Sequence, residues 1–119
     1  MSKQPDTALL AHILDSIRAI ESFLAAVDEP EFYASRLLQS AVIRELQVIG
    51  EAVKRLSPEL RQTHSNVPWS QIARMRDKLI HDYFGVDLQV VWDTVQLSLP
   101  ELKKVVLLMS ESGTGSNGG

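Results

Sequence analysis

Apolar residues recur at helical spacing along most of the chain, and this feature constrains the fold more than any other. The first stripe follows the i, i+3, i+4, i+7 spacing of one helix face, at Leu9, Leu10, Ile13, Leu14, Ile17, Ile20, Leu24 and Val27. A second stripe comprises Phe32, Leu38, Val42, Leu46, Ile49, Val53 and Leu56. No segment shows the apolar–polar alternation of a β-strand. The sequence therefore predicts an all-α protein.

Prolines, glycines and capping residues divide this pattern into four or five helices. We expect a first helix at residues 7–27, capped by Asp6 or Thr7, a second at 31–56 and a short turn at 58–63. A third helix should run from Pro68 to the break at Gly85, and a fourth should follow the capping Asp87. A fifth helix at 101–110 forms if Pro100 separates the last two helices rather than kinks one. Two long helices with a short connection should pack antiparallel. The predicted architecture is an up-down helical bundle.

Gly50 lies in the middle of the second predicted helix, where glycine costs about 1 kcal/mol relative to alanine. Because glycine has no side chain, another helix can approach it closely. We interpret Gly50 as a position of close helix packing.

The composition is that of a small globular protein of one domain. The 119 residues are 45% hydrophobic and 23% charged. We expect a single domain over residues 1–111 and a flexible glycine- and serine-rich tail at 112–119. The chain has no cysteine, no run of 18 apolar residues and no signal-peptide pattern, so we expect a cytoplasmic protein outside the membrane. Its net charge of −3 argues against broad, sequence-blind binding of nucleic acid.

One segment, WSQIARMRDKLIHDYFGVD, concentrates the residues that carry chemistry. Arg76, Asp77, His81 and Tyr83 fall within eight positions. Asp77 and His81 are i, i+4 neighbours, so the carboxylate can fix the imidazole tautomer. Arg76 and His81 are about 140° apart on an ideal helix and do not converge on one point. A bend, a long reach by the arginine or a second copy across a dimer would bring them together.

These residue types suit phosphodiester chemistry. Arginine binds phosphate oxygens through a planar fork, and histidine transfers protons near neutral pH. RNA carries its own 2′-hydroxyl nucleophile, so such a site needs no metal. From spacing alone, a solvated helix face with Arg76 paired to a nearby carboxylate, Asp77 or Glu51, is favoured over catalysis. Trp69 and Trp92 are better interpreted as core or interface anchors than as platforms for base stacking.

The wider context resembles a known family. The motif Arg, four residues, His, any residue, Tyr is matched by Arg76, His81 and Tyr83, with Asp77 as the polar residue after the arginine. With its flanks RELQVIGEAVKRLS and VVWDTVQLSLPELKK, the segment is similar to the HEPN superfamily and, within it, to the HepT-like toxins. The resemblance extends over residues 7–110.

The resemblance implies a helical bundle that forms a homodimer, with both motifs facing one cleft. It implies a metal-independent ribonuclease with no cofactor, in which Arg76 and His81 are catalytic and Asp77 supports them. It also implies a partner, an antitoxin of the MNT nucleotidyltransferase type, which transfers AMP to Tyr83. A bulky anion at the cleft would block RNA by steric exclusion and charge repulsion.

Two alternatives remain open at this stage. In one, the chain is a non-catalytic helical subunit that pairs with a nucleotidyltransferase and recognises a protein or a nucleotide. In the other, the cleft holds a nucleotide as part of a split nucleotidyltransferase. Loss of RNA cleavage on substitution of His81 would distinguish the ribonuclease from both.

Overall fold

The structure, a computed structural model, describes the backbone of residues 5–81 and 85–118 and the side chains of residues 5–79 and 85–110. It confirms the all-α prediction, because no strand occurs among these residues. The helices are α1 (Asp6–Phe23), α2 (Glu29–Ala34), α3 (Arg36–Arg55), α4 (Pro58–Thr63), α5 (Trp69–His81), α6 (Leu88–Asp93) and α7 (Leu99–Gly118), with a π-helical turn at Thr94–Ser98 between the last two.

Helices α1 and α3 pack antiparallel, as predicted. The Asp6 carboxylate, at the start of α1, accepts hydrogen bonds from the backbone N–H (3.0 Å) and the Oγ (2.6 Å) of Ser57, just beyond the end of α3. The prediction that Asp6 or Thr7 caps α1 is wrong, because the helix begins after Pro5 without a side-chain cap. Asp6 instead ties α1 to the start of α4, where Ser57 is the N-cap.

The two apolar stripes meet in one core. Helices α1, α2 and α3 contribute side chains with at most 2% of their surface exposed: Leu9, Ile13, Ile17, Ile20, Phe32, Val42, Leu46, Ile49 and Val53. Helix α7 adds Leu102 and Val106, and a Lys103–Glu21 ion pair of 2.9 Å joins it to α1. At about 25 cal/mol per Å² of buried apolar surface, this core is the main source of stability.

The predicted helix at residues 31–56 is two helices, because the chain bends at Ser35. This residue has an extended backbone, and its Oγ accepts a hydrogen bond of 3.1 Å from the Leu38 N–H. The Gln39 amide donates to the carbonyls of Phe32 and Tyr33 at the end of α2. These local bonds satisfy backbone groups that a continuous helix would have paired, so the break costs little.

Helix α1 also ends earlier than the apolar pattern predicts. The chain leaves the helix after Phe23, and Ala26 takes a left-handed φ of 62°. Asp28 and Glu31 then form a reciprocal capping box that starts α2. Leu24 and Val27 still pack against the core from this turn. The apolar period therefore continued one turn beyond the helix itself.

Helix α5 is anchored at its start by Trp69. The side chain is 6% exposed, and its indole N–H donates to the carbonyls of His64 (2.9 Å) and Arg61 (3.1 Å) at the end of α4. Trp92 is half-buried against Phe32, with ring centroids 5.4 Å apart. Both tryptophans are core anchors, as predicted.

Pro100 does not separate two helices, because the chain is helical on both sides of it. A π-helical turn precedes it, in which the Leu99 N–H bonds to the Thr94 carbonyl. The wider turn accommodates a residue that lacks an N–H and crowds the preceding turn. The helix then runs to Gly118 rather than ending near Ser110. That residues 112–119 are flexible is a statement about motion and stays a prediction.

None of the helices within residues 5–81 and 85–118 is both long enough and apolar enough to cross a membrane.

Candidate functional site

Gly50 is a point of close contact between α3 and α5. A Cβ built on this glycine would collide with the Arg76 Cβ, lie 2.9 Å from the Arg76 Cγ and lie 3.2 Å from the Ile72 carbonyl oxygen. The prediction of close helix packing at Gly50 is confirmed. The glycine therefore lets the stem of Arg76 lie directly on α3, and this contact sets where the guanidinium emerges.

An ion-pair network then holds the Arg76 guanidinium. One nitrogen bonds the Glu51 carboxylate on α3 (2.9 Å), and another bonds the adjacent Asp77 carboxylate (3.0 Å). Asp77 also accepts from Lys54 (3.2 Å), and Glu51 accepts from Arg55 (3.1 Å). The network carries three cations and two carboxylates, so it retains one positive charge. Such exposed pairs stabilise folding by at most about 1 kcal/mol each, and their main effect is to orient Arg76.

Arg76 keeps a surface through which it can bind an anion. Its side chain is 26% exposed, less than its partners Glu51 (37%) and Asp77 (44%). The ion pairs of the alternative interpretation, with Asp77 and with Glu51, are both present. A guanidinium has five N–H donors, so two carboxylates leave donors for a phosphate oxygen.

Asp77 is ionised at neutral pH. Hydrogen bonds from Arg76 first, and from Lys54 second, lower the pKa of its carboxyl below the ordinary value of 3.8. Both bonds reach the same oxygen, Oδ1. Among the described residues, the Asp77 carboxylate therefore forms ion pairs with Arg76 and Lys54. Its predicted contact with His81 stays a prediction, because the His81 side chain lies outside the described residues.

The structure places the two catalytic candidates on one helix. Arg76 lies in the middle of α5, and His81 is the last residue of this helix. The backbone is helical from one to the other, and positions five apart on an ideal helix are separated by about 140° about the axis. Tyr83, the predicted modification site, lies outside the described residues.

Comparison with known proteins identifies the family. The model of the family described as "Ribonuclease HepT-like" matches residues 13–109, which include all of the network and the motif. The chain belongs to the HepT-like ribonuclease family. The HEPN resemblance of the sequence is consistent with this result.

Relatives of this HepT-like chain carry provisional ribonuclease names. A Methanocaldococcus jannaschii protein named as a gamma-glutamylcyclotransferase and provisional RNase is 45% identical over 86% of this chain, which spans only 46% of that protein. A provisional RNase of Caldanaerobacter subterraneus is 44% identical, covering 82% of this chain and 87% of its own. A provisional ribonuclease HepT of Thermococcus cleftensis is 45% identical, covering 79% and 86%. No solved structure matches the chain.

Two residues of the ion-pair network around Arg76 were not predicted as site residues from the sequence. From the sequence, Glu51 is named only as one possible ion-pair partner of Arg76 on a solvated face, and nothing singles out Lys54. Both follow Gly50 on α3, at i+1 and i+4 from the glycine, and so border the face that receives α5. The glycine was the available signal, since residues flanking a close helix contact face the partner helix.

The residues of this HepT-like site suit anion binding and proton transfer. No group of three or more metal-ligating side chains occurs in the part of the chain that the structure describes. The predictions that the protein uses neither a metal nor a cofactor stay predictions. What the described geometry provides is one oriented guanidinium with a net positive charge around it.

Proposed function

We propose that this protein is a metal-independent ribonuclease and the toxin of a toxin–antitoxin pair, acting in the cytoplasm at a cleft formed by two copies of the chain. The observation that supports it best is the orientation of Arg76. The Gly50 contact and the Glu51 and Asp77 carboxylates hold this guanidinium at the surface of the helix that carries His81. Membership of the HepT-like family gives the position its chemical interpretation.

In the proposed mechanism, His81 takes the proton from the RNA 2′-hydroxyl, and the 2′-oxygen attacks the adjacent phosphorus. A P–O bond forms to the 2′-oxygen, and the bond to the 5′-oxygen breaks. The leaving 5′-oxygen receives a proton from a histidine. Arg76 binds the non-bridging oxygens as negative charge grows on them, which is the electrostatic role that a fixed donor performs best.

The proposed dimer rests on the spacing of the two positions along α5. Positions five apart on an ideal helix are about 140° apart around the axis, which does not favour one phosphate being reached by both residues of one copy. In a two-fold arrangement, Arg76 of one copy and His81 of the other can face the same substrate. The site then depends on both copies.

Cleavage of RNA by matched variants tests the proposal. Wild-type protein with EDTA should cleave total RNA. Arg76→Ala should lower the rate by about 100-fold or more, because a fixed donor to the developing charge is lost. Arg55→Ala is the control, since it removes another cation from Glu51 but leaves Arg76 in place. Equal cleavage by Arg76→Ala and Arg55→Ala would contradict the role of Arg76.

Co-expression of two inactive variants tests the shared cleft. Arg76→Ala and His81→Ala should each be inactive alone. A mixed dimer contains one cleft with both native residues if Arg76 and His81 come from different copies, so activity should return. If the mixed preparation stays inactive while mixed dimers are present, the cross-copy site is wrong.

The proposed antitoxin is a nucleotidyltransferase of the MNT type that transfers AMP to Tyr83. The tyrosine oxygen attacks the α-phosphorus of ATP, pyrophosphate leaves, and the phenol proton passes to solvent. Intact-mass measurement after co-expression should show one added adenylyl group on the wild type and none on Tyr83→Phe. An equal mass increase on both proteins would place the modification elsewhere.

A further inference from the structure

A second feature of α3 is a groove that lies next to the Arg76 network. The groove has a volume of about 520 Å³. One wall is polar and comes from α3, with Arg36, Ser40, Arg44 and Gln47 among its residues. The facing wall is apolar, with Leu79 of α5 and then Val86 and Leu88.

The groove and the network share one face of α3. Arg44, Gln47 and Glu51 follow i, i+3, i+7 spacing, which places them in one row along the helix. Glu51 is the α3 ligand of Arg76. On the other wall, Leu79 is one turn beyond Arg76 on α5. The groove therefore continues the surface from which the Arg76 guanidinium emerges.

The polar wall is positively charged. Arg36 and Arg44 are both exposed, and none of the described residues that line the groove is acidic. Neither arginine pairs with a carboxylate among residues 5–79 and 85–110. They lie about 12 Å apart along the axis at a rise of about 1.5 Å per residue, so they can contact different phosphates of one strand. In a chain of net charge −3, this local concentration of positive charge is distinctive.

We infer that this groove binds the phosphate backbone of single-stranded RNA and guides the strand to Arg76. The inference rests on the proposed ribonuclease function and deepens it. Arg36 and Arg44 contact phosphates, and Gln47 provides an amide between them and the network. The apolar wall contacts ribose and base faces without reading base edges. A positively charged groove that follows the phosphate backbone binds single strands with little sequence preference.

An acidic peptide is the competing ligand, since it also offers repeated negative charge. The groove favours RNA for two reasons on the structure: it leads to a guanidinium that is oriented at a surface, and the described residues of its second wall, Leu79, Val86 and Leu88, are apolar. A peptide of glutamates would leave that apolar wall uncovered. Polyglutamate is therefore included as a competitor in the test.

The experiment measures binding of a fluorescently labelled 2′-O-methyl oligoribonucleotide, which lacks the 2′-hydroxyl nucleophile and so is not consumed. The test variant is Arg36→Gln/Arg44→Gln. The control is Arg18→Gln/Lys104→Gln, which removes the same charge from exposed positions on α1 and α7. Thermal unfolding of all three proteins confirms that each is folded, as exposed substitutions should allow.

The groove variant should bind on the order of tenfold more weakly near 0.1 M salt, and the control should bind almost as the wild type does. The binding constant falls with salt, and the negative slope of log K against log salt concentration should be shallower by about 1.4 for the groove variant. Each of its two lost contacts with a single strand accounts for about 0.7 of this change. Equal weakening of the groove variant and the control would overturn the proposal, because general surface charge would then suffice. Competition by polyglutamate as strong as that by unlabelled RNA would also overturn it.

The outcome separates the groove from the ribonuclease proposal. If the groove variant loses binding but the wild type cleaves no natural RNA, the groove is supported and the catalytic proposal fails. If the wild type cleaves RNA and the groove variant binds as well as the control does, the catalytic proposal stands and the groove is overturned.

Discussion

Two neighbouring regions of the surface formed by α3 and α5 use arginine in different ways. At the seam between α3 and α5, Arg76 lies against Gly50 and is held by two carboxylates. In the groove along the first half of α3, Arg36 and Arg44 are exposed, and the lining residues that the structure describes include no acidic side chain. Ion pairs hold the Arg76 guanidinium in one orientation, whereas the exposed side chains of Arg36 and Arg44 can adopt several positions.

The difference matches two requirements of acting on a charged polymer. Stabilising a developing charge needs a donor that is oriented before the reaction, because reorganisation would consume part of the benefit. Attracting a strand needs charge that adapts to many positions of the backbone. The ion pairs that limit Arg76 are therefore suited to its proposed role, and their absence from the groove lining suits Arg36 and Arg44.

The largest effect on this comparison should come from Gly50→Ala. The added methyl group would collide with the Arg76 Cβ and lie 3.2 Å from the Ile72 carbonyl oxygen, so the α5 backbone must move. Overpacking of this kind costs typically 1–3 kcal/mol, whereas alanine gains about 1 kcal/mol in helix propensity. We expect a net loss of up to about 2 kcal/mol in the free energy of unfolding, measured with urea.

Gly85→Ala is the matched control, since nothing lies within 4 Å of the Cβ it would introduce. Its stability should equal or slightly exceed that of the wild type. If Gly50→Ala is as stable as Gly85→Ala, the contact at Gly50 is not what fixes Arg76. If Gly50→Ala is destabilised as expected, its binding to the 2′-O-methyl RNA should still fall less than that of the groove variant.

Helix positions were predictable where packing and local bonding agree. The apolar stripes of α1 and α3 predicted the core, and the start of α5 was predicted to within a residue at Trp69. The break at Ser35 was not predicted, because the apolar period continues through it. It is made by the Ser35 hydroxyl and the Gln39 amide, which hold the backbone bonds that a helix would have used.

The candidate site was predictable along α5 but not across to α3. Spacing within one helix is enough to list Arg76, Asp77 and His81 together. The partners Glu51 and Lys54 depend on how α3 and α5 cross, and that register is set by the contact at Gly50. Linear spacing contains no information on the crossing, so these partners emerge only in three dimensions.

The smallest effect should come from Asp77→Asn, as a change in the pH dependence of stability. The folded pKa of Asp77 is lowered by its bonds to Arg76 and Lys54, so the unfolded chain binds the proton more tightly. Its charge therefore stabilises the fold above the ordinary pKa of 3.8, and this contribution is lost as pH falls through the folded pKa. Asp77→Asn removes the contribution at every pH.

The stability difference between wild type and Asp77→Asn should thus be largest above about pH 5 and shrink in acid, measured by urea unfolding across the acid range. Asp15→Asn on α1 is the control, because Asp15 is exposed and forms no ion pair with the described residues. A difference that stays constant from neutral pH into acid would show that Asp77 acts through its shape rather than its charge. In that case only the Glu51 carboxylate and the contact at Gly50 would orient Arg76 at the seam between α3 and α5.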